Sequence, residues 1–275
     1  MEEVKLITDG EPLNKKKYAC YVMTSNCYEF CEASIKSLLL NSSVDEIFIV
    51  HNEEKFSMKH VPIEITPIGI NIDDYINIVG PNNATRFTRM VLARLALHKI
   101  LPKKVDVVLS LDYDVLINHD IDDLWDIPLE NNHCLLAGVP ERDRTIRCQR
   151  GYFEGDEFVV SGENFWISET YVNAGLLLLN MKAYREEGIG DMMLHDINHE
   201  YYHFPEQDLY NTYAKDRMIL LPTTYNSCRL TGLIGAPKVK HYAAEEKKLD
   251  KPLVQRYLNI DWKTITMHRK LKYGK

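Results

Sequence analysis

The sequence predicts an α/β fold in which a mostly parallel central sheet is covered by helices on both faces, and three observations carry that expectation. Short continuous apolar runs, VDVVLSL and EIFIV among them, read as strands buried on both sides. Between such runs lie segments whose apolar residues recur every three to four positions, the spacing of a helix with one buried face. A chain of 275 residues, 45% hydrophobic and 27% charged, has enough apolar side chains for a sizeable core, which argues against disorder.

The elements follow in order. Tyr18 to Thr24 is a first strand, and Tyr28 to Leu40 a helix with Cys31, Ile35, Leu38 and Leu39 on its inner face. Glu46 to Val50 is a second short strand, completing a β-α-β opening. The spacing of Phe87, Val91, Leu92, Leu95 and Ile100 predicts a long helix over 85–100, ended by Pro102. Val105 to Leu111 is a continuous apolar strand, and further strands are expected at His133 to Val139 and Val172 to Asn180. No repeat, low-complexity segment or linker interrupts the series, so residues 1–275 are read as one domain, with 253–275 as a basic C-terminal tail.

Charge and cysteine usage narrow the function classes. A net charge of −7 argues against nucleic acid as a partner, because phosphate-backbone binding needs clustered Lys and Arg. Cys20, Cys27, Cys31, Cys134, Cys148 and Cys228 form no CxxC pair or disulfide framework and are expected as reduced thiols. The N-terminus has no signal-peptide core, and no segment approaches a membrane span, so a cytoplasmic location is expected. The tail carries Lys263, Arg269, Lys270, Lys272 and Lys275 interleaved with Trp262, Ile265, Met267, Leu271 and Tyr273. It reads either as a solvated end or as a peripheral contact with the anionic inner face of a membrane.

Chemistry concentrates at the end of the VDVVLSL strand. Asp112 and Asp114 follow it directly, where ligands meet the carboxyl ends of strands in an α/β sheet. Two carboxylates so close repel, which makes sense if manganese or magnesium lies between them and a substrate phosphate. Taken alone, the pair is equally a solvated acidic turn leading to Asn118, Asp120, Asp122 and Asp123. His195, His199 and His203, four apart, offer a rival metal pattern, but with no HExxH they read as a solvated histidine face.

Four segments, in order, resemble one family. VDVVLSLDYDVLINHDIDDLWDIPL resembles the DxD region of family 8 retaining glycosyltransferases, the GT-A (Rossmann-like) group that includes glycogenin and bacterial lipooligosaccharide galactosyltransferases. YVNAGLLLLNMKAY is similar to its NAG-and-strand motif, EQDLYN to its DQDxLN motif, and HYAAEEKKLDKP to its terminal His...Lys-Pro motif. The match runs from Tyr18 to about Pro252.

The resemblance implies a UDP-sugar donor and Asp112, Asp114 and His241 as ligands of manganese, or of magnesium, with Tyr113 between the two acids. It places Thr24, Ser25, Asn26 and Cys27 at the nucleoside and Tyr28 against uracil, although the family often has an acid where Ser25 stands. Arg94 matches the family arginine that reaches the donor near its sugar and diphosphate, with Arg86 and Arg89 as alternatives. Asn173, Ala174 and Gly175 meet the sugar; an amide serves its hydroxyls, and a glycine permits close backbone approach. Gln207 matches the glutamine near the anomeric carbon. Glu206 stands where most members have Asp, and Asp208 reads as structural. Lys247 fits the family's His-to-Lys spacing while Lys251 carries the proline, so either serves the leaving diphosphate.

The expected reaction is transfer of galactose or glucose, with retention, to a saccharide or lipid-linked saccharide acceptor, as in lipopolysaccharide or other cell-surface glycan assembly. Same-face attack is the favoured route, with Glu206 as a covalent nucleophile the alternative. A protein that only binds sugar nucleotides and a metal-dependent hydrolase or nucleotidyltransferase are the competing classes. Acceptor contacts are expected from the polar, aromatic stretch 141–169, as a lid or binding surface, or else that stretch is a solvated insertion.

Overall fold

Strand β1 (Tyr18–Met23) lies in the interior of a seven-stranded sheet, fully enclosed because nearly every residue of YACYVM can be buried. The computed structural model describes residues 16–53, 65–77, 89–129, 133–142, 147–154, 157–166, 170–202, 204–243 and 249–275. After β1 the chain turns through a 3-10 turn, Ser25–Cys27, into helix α1 (Tyr28–Asn41) and returns as β2 (Glu46–His51), parallel to β1. β3 (Ile65–Gly69) pairs with β2 at the sheet edge, where Pro67, lacking an N–H, costs no ladder bond to a further strand.

On the other side of β1 comes β4 (Val107–Leu111), also parallel to it. The chain leaves β1 toward β2 on one side and has β4 on the other, so β1 and β4 flank the point where strand order reverses. β5 (Val115–Ile117) follows the acidic pair, and β6 (Leu136–Pro140) rejoins the main sheet. β7 (Arg147–Glu154) and β8 (Glu157–Trp166) form an antiparallel hairpin within the stretch 141–169. β9 (Val172–Asn180) enters the main sheet between β4 and β6 and runs antiparallel to both. The remaining strands are β10 (Glu200–Tyr201) on β7, β11 (Met218–Leu220) parallel to β6, and β12 (Val239–His241) antiparallel to β5. The main sheet has the order β11-β6-β9-β4-β1-β2-β3, and β9 alone is reversed, so the expected mostly parallel sheet is observed.

Two apolar layers cover the sheet. One packs residues 89–96 and helices α3 (Met181–Glu186), α4 (Ile189–His199) and α5 (Pro205–Ala214) on one face. The other holds α1, β5 and β12 on the opposite face, with Ile265 buried among them. The long helix expected over 85–100 differs from its sequence reading. Residues Arg89–Ala96 are wound as 3-10 helix and only α2 (Leu97–Ile100) is α-helical, while 85–88 lie outside the described residues. Tertiary contacts override the helical spacing here: Arg94 and the carbonyl beside it are bound to neighbouring elements rather than to a regular i to i+4 ladder. The strand expected from His133 begins three residues later, because His133 adopts φ 50, outside the extended region.

Residues 253–275 fold as most of α6 (Pro252–Leu258) and as α7 (Trp262–Tyr273). Three of the tail's basic residues have internal partners. Arg269 is 2% exposed and donates to the carbonyls of Leu39, Ser42 and Val44, Lys272 pairs with Asp120, and Lys275 pairs with Asp45. Met267 and Leu271 remain exposed on α7. Among the described residues no helix is long and apolar enough to cross a membrane.

Candidate active site

The two acids sit where β4 stops. The Asp112 N–H donates to the Gly175 carbonyl at 2.9 Å, tying the end of β4 to the start of β9. Asp114 immediately precedes β5, whose partner β12 ends at His241, with His241 registered against Val115. Antiparallel pairing of these two short strands therefore carries a histidine from near the C-terminus to the acidic pair. His241 Nε2 lies 3.4 Å from Asp112 and 3.5 Å from Asp114, and one ligand atom from each residue falls within 4.8 Å of the others.

Each group's charge has a cause. Burial pushes the Asp112 carboxyl up, but the Arg94 charge and the His241 bond outweigh it and hold it below the usual carboxylate range. Burial disfavours protonated His241, yet the Asp114 charge and bonds to both acids raise its pKa well above the ordinary value. The acids thus call for a cation between them, whether a proton on Nε2 or a metal that takes its place. Two carboxylates and an imidazole suit manganese or magnesium, and Nε2 is the nitrogen that faces them.

The other imidazole nitrogen is held by a residue that sequence reading missed. His241 Nδ1 donates to Asn226 Oδ1 at 2.8 Å, and Asn226 Nδ2 donates to Asn173 Oδ1 at 2.9 Å. Asn226 is fully buried, so this bond fixes ring orientation and tautomer as the outer partners of metal-bound histidines do. Asn226→Ala is expected to weaken divalent-metal binding about ten- to hundredfold, and Asn226→Asp, which keeps the acceptor, to lose less. Calorimetric titration with manganese checks this; equal affinity in the Ala variant would remove Asn226 from the site. No motif announces such an asparagine, because its role comes from a strand pairing distant in sequence.

Arg94 stands on the other side of Asp112. Its Nη1 lies 3.0 Å from Asp112 Oδ1 and 4.0 Å from Glu206 Oε1, and donates to the Ala174 carbonyl at 3.1 Å. The residue is 2% exposed and its Nη2 is buried with no hydrogen-bond partner among the described residues, an unmet donor beside the acidic pair. Of the alternatives, Arg89 pairs with Asp73 and the Ile76 carbonyl instead, and Arg86 lies outside the described residues.

Glu206 and Gln207 occupy the buried first turn of α5 behind Pro205. Burial lifts the Glu206 carboxyl to about 7, against the opposing pull of Arg94. The unfolded chain releases that proton near 4.5 and the folded one near 7, so this group's contribution to stability falls as pH rises through that window. Relative to Glu206→Gln, wild type is therefore expected to lose up to about 3 kcal/mol across it and nothing further above it. Urea unfolding of both proteins on either side of the window checks this, and parallel profiles would refute it.

The Gln207 amide spends all its hydrogen-bonding capacity internally. Oε1 accepts from Ala174 N at 2.8 Å and Asn173 Nδ2 at 3.2 Å, and Nε2 donates to Glu141 Oε1 at 3.1 Å and Tyr171 Oη at 3.2 Å. Asp208 accepts from the Tyr171 hydroxyl and the Phe204 N–H, consistent with its structural reading. Gly175 shows why a glycine stands there: a Cβ would overlap the His241 ring, leaving Nε2 at 2.9 Å and two ring atoms closer still.

The residues expected to meet the nucleoside lie at the neighbouring end of β1. Thr24 leads from β1 into the Ser25–Cys27 turn, Asn26 is exposed, and half-buried Tyr28 opens α1. Tyr113 reaches the same helix, edge-on to Phe30 with ring centroids 6.3 Å apart. Lys251 precedes α6 with its Nζ 4.5 Å from the Tyr242 ring centre, next in chain to His241, whereas Lys247 lies outside the described residues. Asp112, Asp114, His241, Arg94, Glu206, Asn173, Ala174, Gly175 and Gln207 form one connected cluster. His195 and His199 stack on each other, exposed on α4, and His203 lies outside the described residues.

Comparison with known proteins agrees with this geometry. A family model described as Glycosyl transferase family 8 matches residues 14–254. A Haemophilus influenzae protein, named as a candidate glycosyltransferase, is 27% identical over 136 residues, 49% of this chain and 38% of that one. The structure of the glycosyltransferase GlyE of Streptococcus pneumoniae aligns with TM-score 0.64 and 18% identity over 94% of this chain and 64% of GlyE. That of the galactosyltransferase LgtC, in complex with donor and acceptor sugar analogues, aligns with TM-score 0.55 and 18% identity over 91% and 95% of the two chains. The chain thus spans under two thirds of the first two relatives, and the two structural likenesses establish the GT-A fold.

Proposed function

Because the chain belongs to glycosyl transferase family 8, we propose that it transfers a hexose, galactose or glucose, from its UDP form to a saccharide or glycolipid acceptor with retention. The observation that carries this reading is the Asp112–Asp114–His241 cluster set against Arg94, whose buried Nη2 lacks a hydrogen-bond partner among the described residues. A diphosphate or sugar oxygen beside Asp112 would satisfy that donor and offset the cost of burying it unpaired. The three ligands fit manganese, with magnesium the alternative; bound there, the ion supplies charge neutralisation for the diphosphate.

The chain's own groups divide the remaining work. Arg94 binds and orients the donor, and Lys251 or Lys247 balances charge on the leaving diphosphate. Thr24, Asn26 and Tyr28 cradle the nucleoside, with Tyr28 stacked on uracil. Gln207 positions the sugar by holding Asn173 and the Ala174 N–H in place. Its carbonyl oxygen already accepts two hydrogen bonds, which makes it a poor nucleophile and favours same-face attack, the departing phosphate oxygen taking the acceptor's proton. Glu206 as covalent nucleophile is the rival route, and near-normal turnover in Glu206→Gln would eliminate it. The whole chain acts as one catalytic domain in the cytoplasm, with exposed Met267 and Leu271 the points at which α7 would rest on a membrane.

Incubation with manganese and a panel of nucleotide sugars, reading UDP release and product anomeric configuration, tests the proposal. Metal-dependent UDP release with a retained anomer is expected. Absence of both turnover and donor binding would overturn it, and release of free sugar whatever the acceptor would mark a hydrolase.

A further inference from the structure

Glu141 follows β6 directly and is held from two sides. Its N–H donates to the Tyr171 carbonyl at 2.8 Å, and its side chain turns to the floor of the site, where Oε1 accepts from Asn173 Nδ2 at 2.7 Å and Gln207 Nε2 at 3.1 Å. The residue is only 4% exposed, and the second carboxyl oxygen, Oε2, is buried with no hydrogen-bond partner among the described residues. Leaving a carboxylate oxygen buried and unmet is costly, and folded proteins rarely tolerate it without a ligand or a water. Arg94 Nη2 is an unmet donor of the same cluster, reached through Ala174, which Arg94 and Gln207 both bind. One unmet donor and one unmet acceptor around a shared floor match a sugar, whose every hydroxyl both gives and takes a hydrogen bond.

We infer that Glu141 reads the substrate: its Oε2 accepts a hydrogen bond from a hydroxyl of a sugar bound over Asn173 and Gln207, either the hexose being transferred or the acceptor. The inference rests on the proposed glycosyl transfer and adds a specificity-determining residue that the four sequence motifs do not include. Gln207 does not fill this role, because its amide has no hydrogen-bonding capacity left over. Glu141 holds Gln207 with one oxygen and keeps the other for substrate.

Glu141→Gln is the informative variant. Its amide oxygen can accept the same two N–H bonds, so the floor stays intact while an N–H group replaces the acceptor at Oε2. The variant is expected to unfold at nearly the wild-type temperature and to lose about ten- to hundredfold in kcat/KM. UDP release measured without acceptor separates the two sources. If the hydroxyl belongs to the donor hexose, donor hydrolysis and transfer both fall; if it belongs to the acceptor, hydrolysis keeps its wild-type rate and transfer alone falls. Monodeoxy analogues of donor and acceptor give a second reading that does not depend on the variant. Wild type should lose at least about tenfold on one analogue, and Glu141→Gln should show no further loss on it. Wild-type kinetics in the variant would mean that a buried water meets Oε2, and the inference would fail. It would fail equally if wild type tolerated every monodeoxy analogue. A wild-type protein that turned over no nucleotide sugar would instead refute the proposed function, which is a different result.

Discussion

Asp114→Asn is expected to lower turnover at least about a thousandfold and to abolish its dependence on manganese, while the protein remains folded. The side chain is 2% exposed, immediately precedes β5 and lies 3.5 Å from His241 Nε2, so the substitution keeps shape and removes charge where the cluster calls for a cation. Asp112→Asn should be less selective in its effect. Asp112 is also the 3.0 Å partner of Arg94, and its loss would leave that buried guanidinium with Glu206, 4.0 Å away, as its nearest carboxylate. Manganese titration of UDP release, with circular dichroism as the check on folding, distinguishes the two variants. Asp114→Asn turning over at the wild-type rate without metal would remove the metal from the mechanism.

Gly175→Ala should approach the same loss by a purely steric route. The new methyl group would occupy the place of the His241 ring, and the ring cannot swing aside without breaking its bond to Asn226. Metal affinity is expected to fall at least about a hundredfold, with stability reduced by about 1–3 kcal/mol through overpacking. Gly175→Ala combined with His241→Ala should recover the stability and not the metal binding, since it removes the overlap along with the ligand. Gly188→Ala is the contrast: its φ of 69 makes the substitution strained, yet no atom of the described residues lies within 4 Å of the added carbon, so it should cost stability and spare metal binding. A Gly175→Ala protein that binds manganese normally would show that the ring has another place to go.

The central strands were legible because burial on both faces leaves an unmistakable pattern. YACYVM, EIFIV, VVLSL and VNAGLLLLN are continuous apolar runs, and the structure makes each a strand of the main sheet. Short peripheral elements carried less signal. MIL and VKH are too brief to show any period, and ITPIG contains a proline that counts against a strand unless it is known to lie at an edge. The hairpin β7–β8 left a trace in the aromatic pair of RCQRGYFE and the aromatic and β-branched residues of EFVVSGENFW, separated by Gly155 and Asp156, which reading the stretch as a lid, binding surface or solvated insertion passed over.

The sequence by itself determined the α/β class, the acidic pair at a strand's end and the order of four motifs, because each depends on neighbours within a few residues. Only the tertiary structure decided how those motifs meet. A run such as VNAGLLLLN is equally apolar in either direction, but β9 runs against β4, and that reversal brings Asn173, Ala174 and Gly175 rather than Asn180 to Asp112. The pairing of β5 with β12 likewise delivers His241. Glu141 and Asn226 gain their roles solely from the hydrogen-bond partners that this folding supplies, since a buried polar side chain is defined by what satisfies it, and local sequence does not record that.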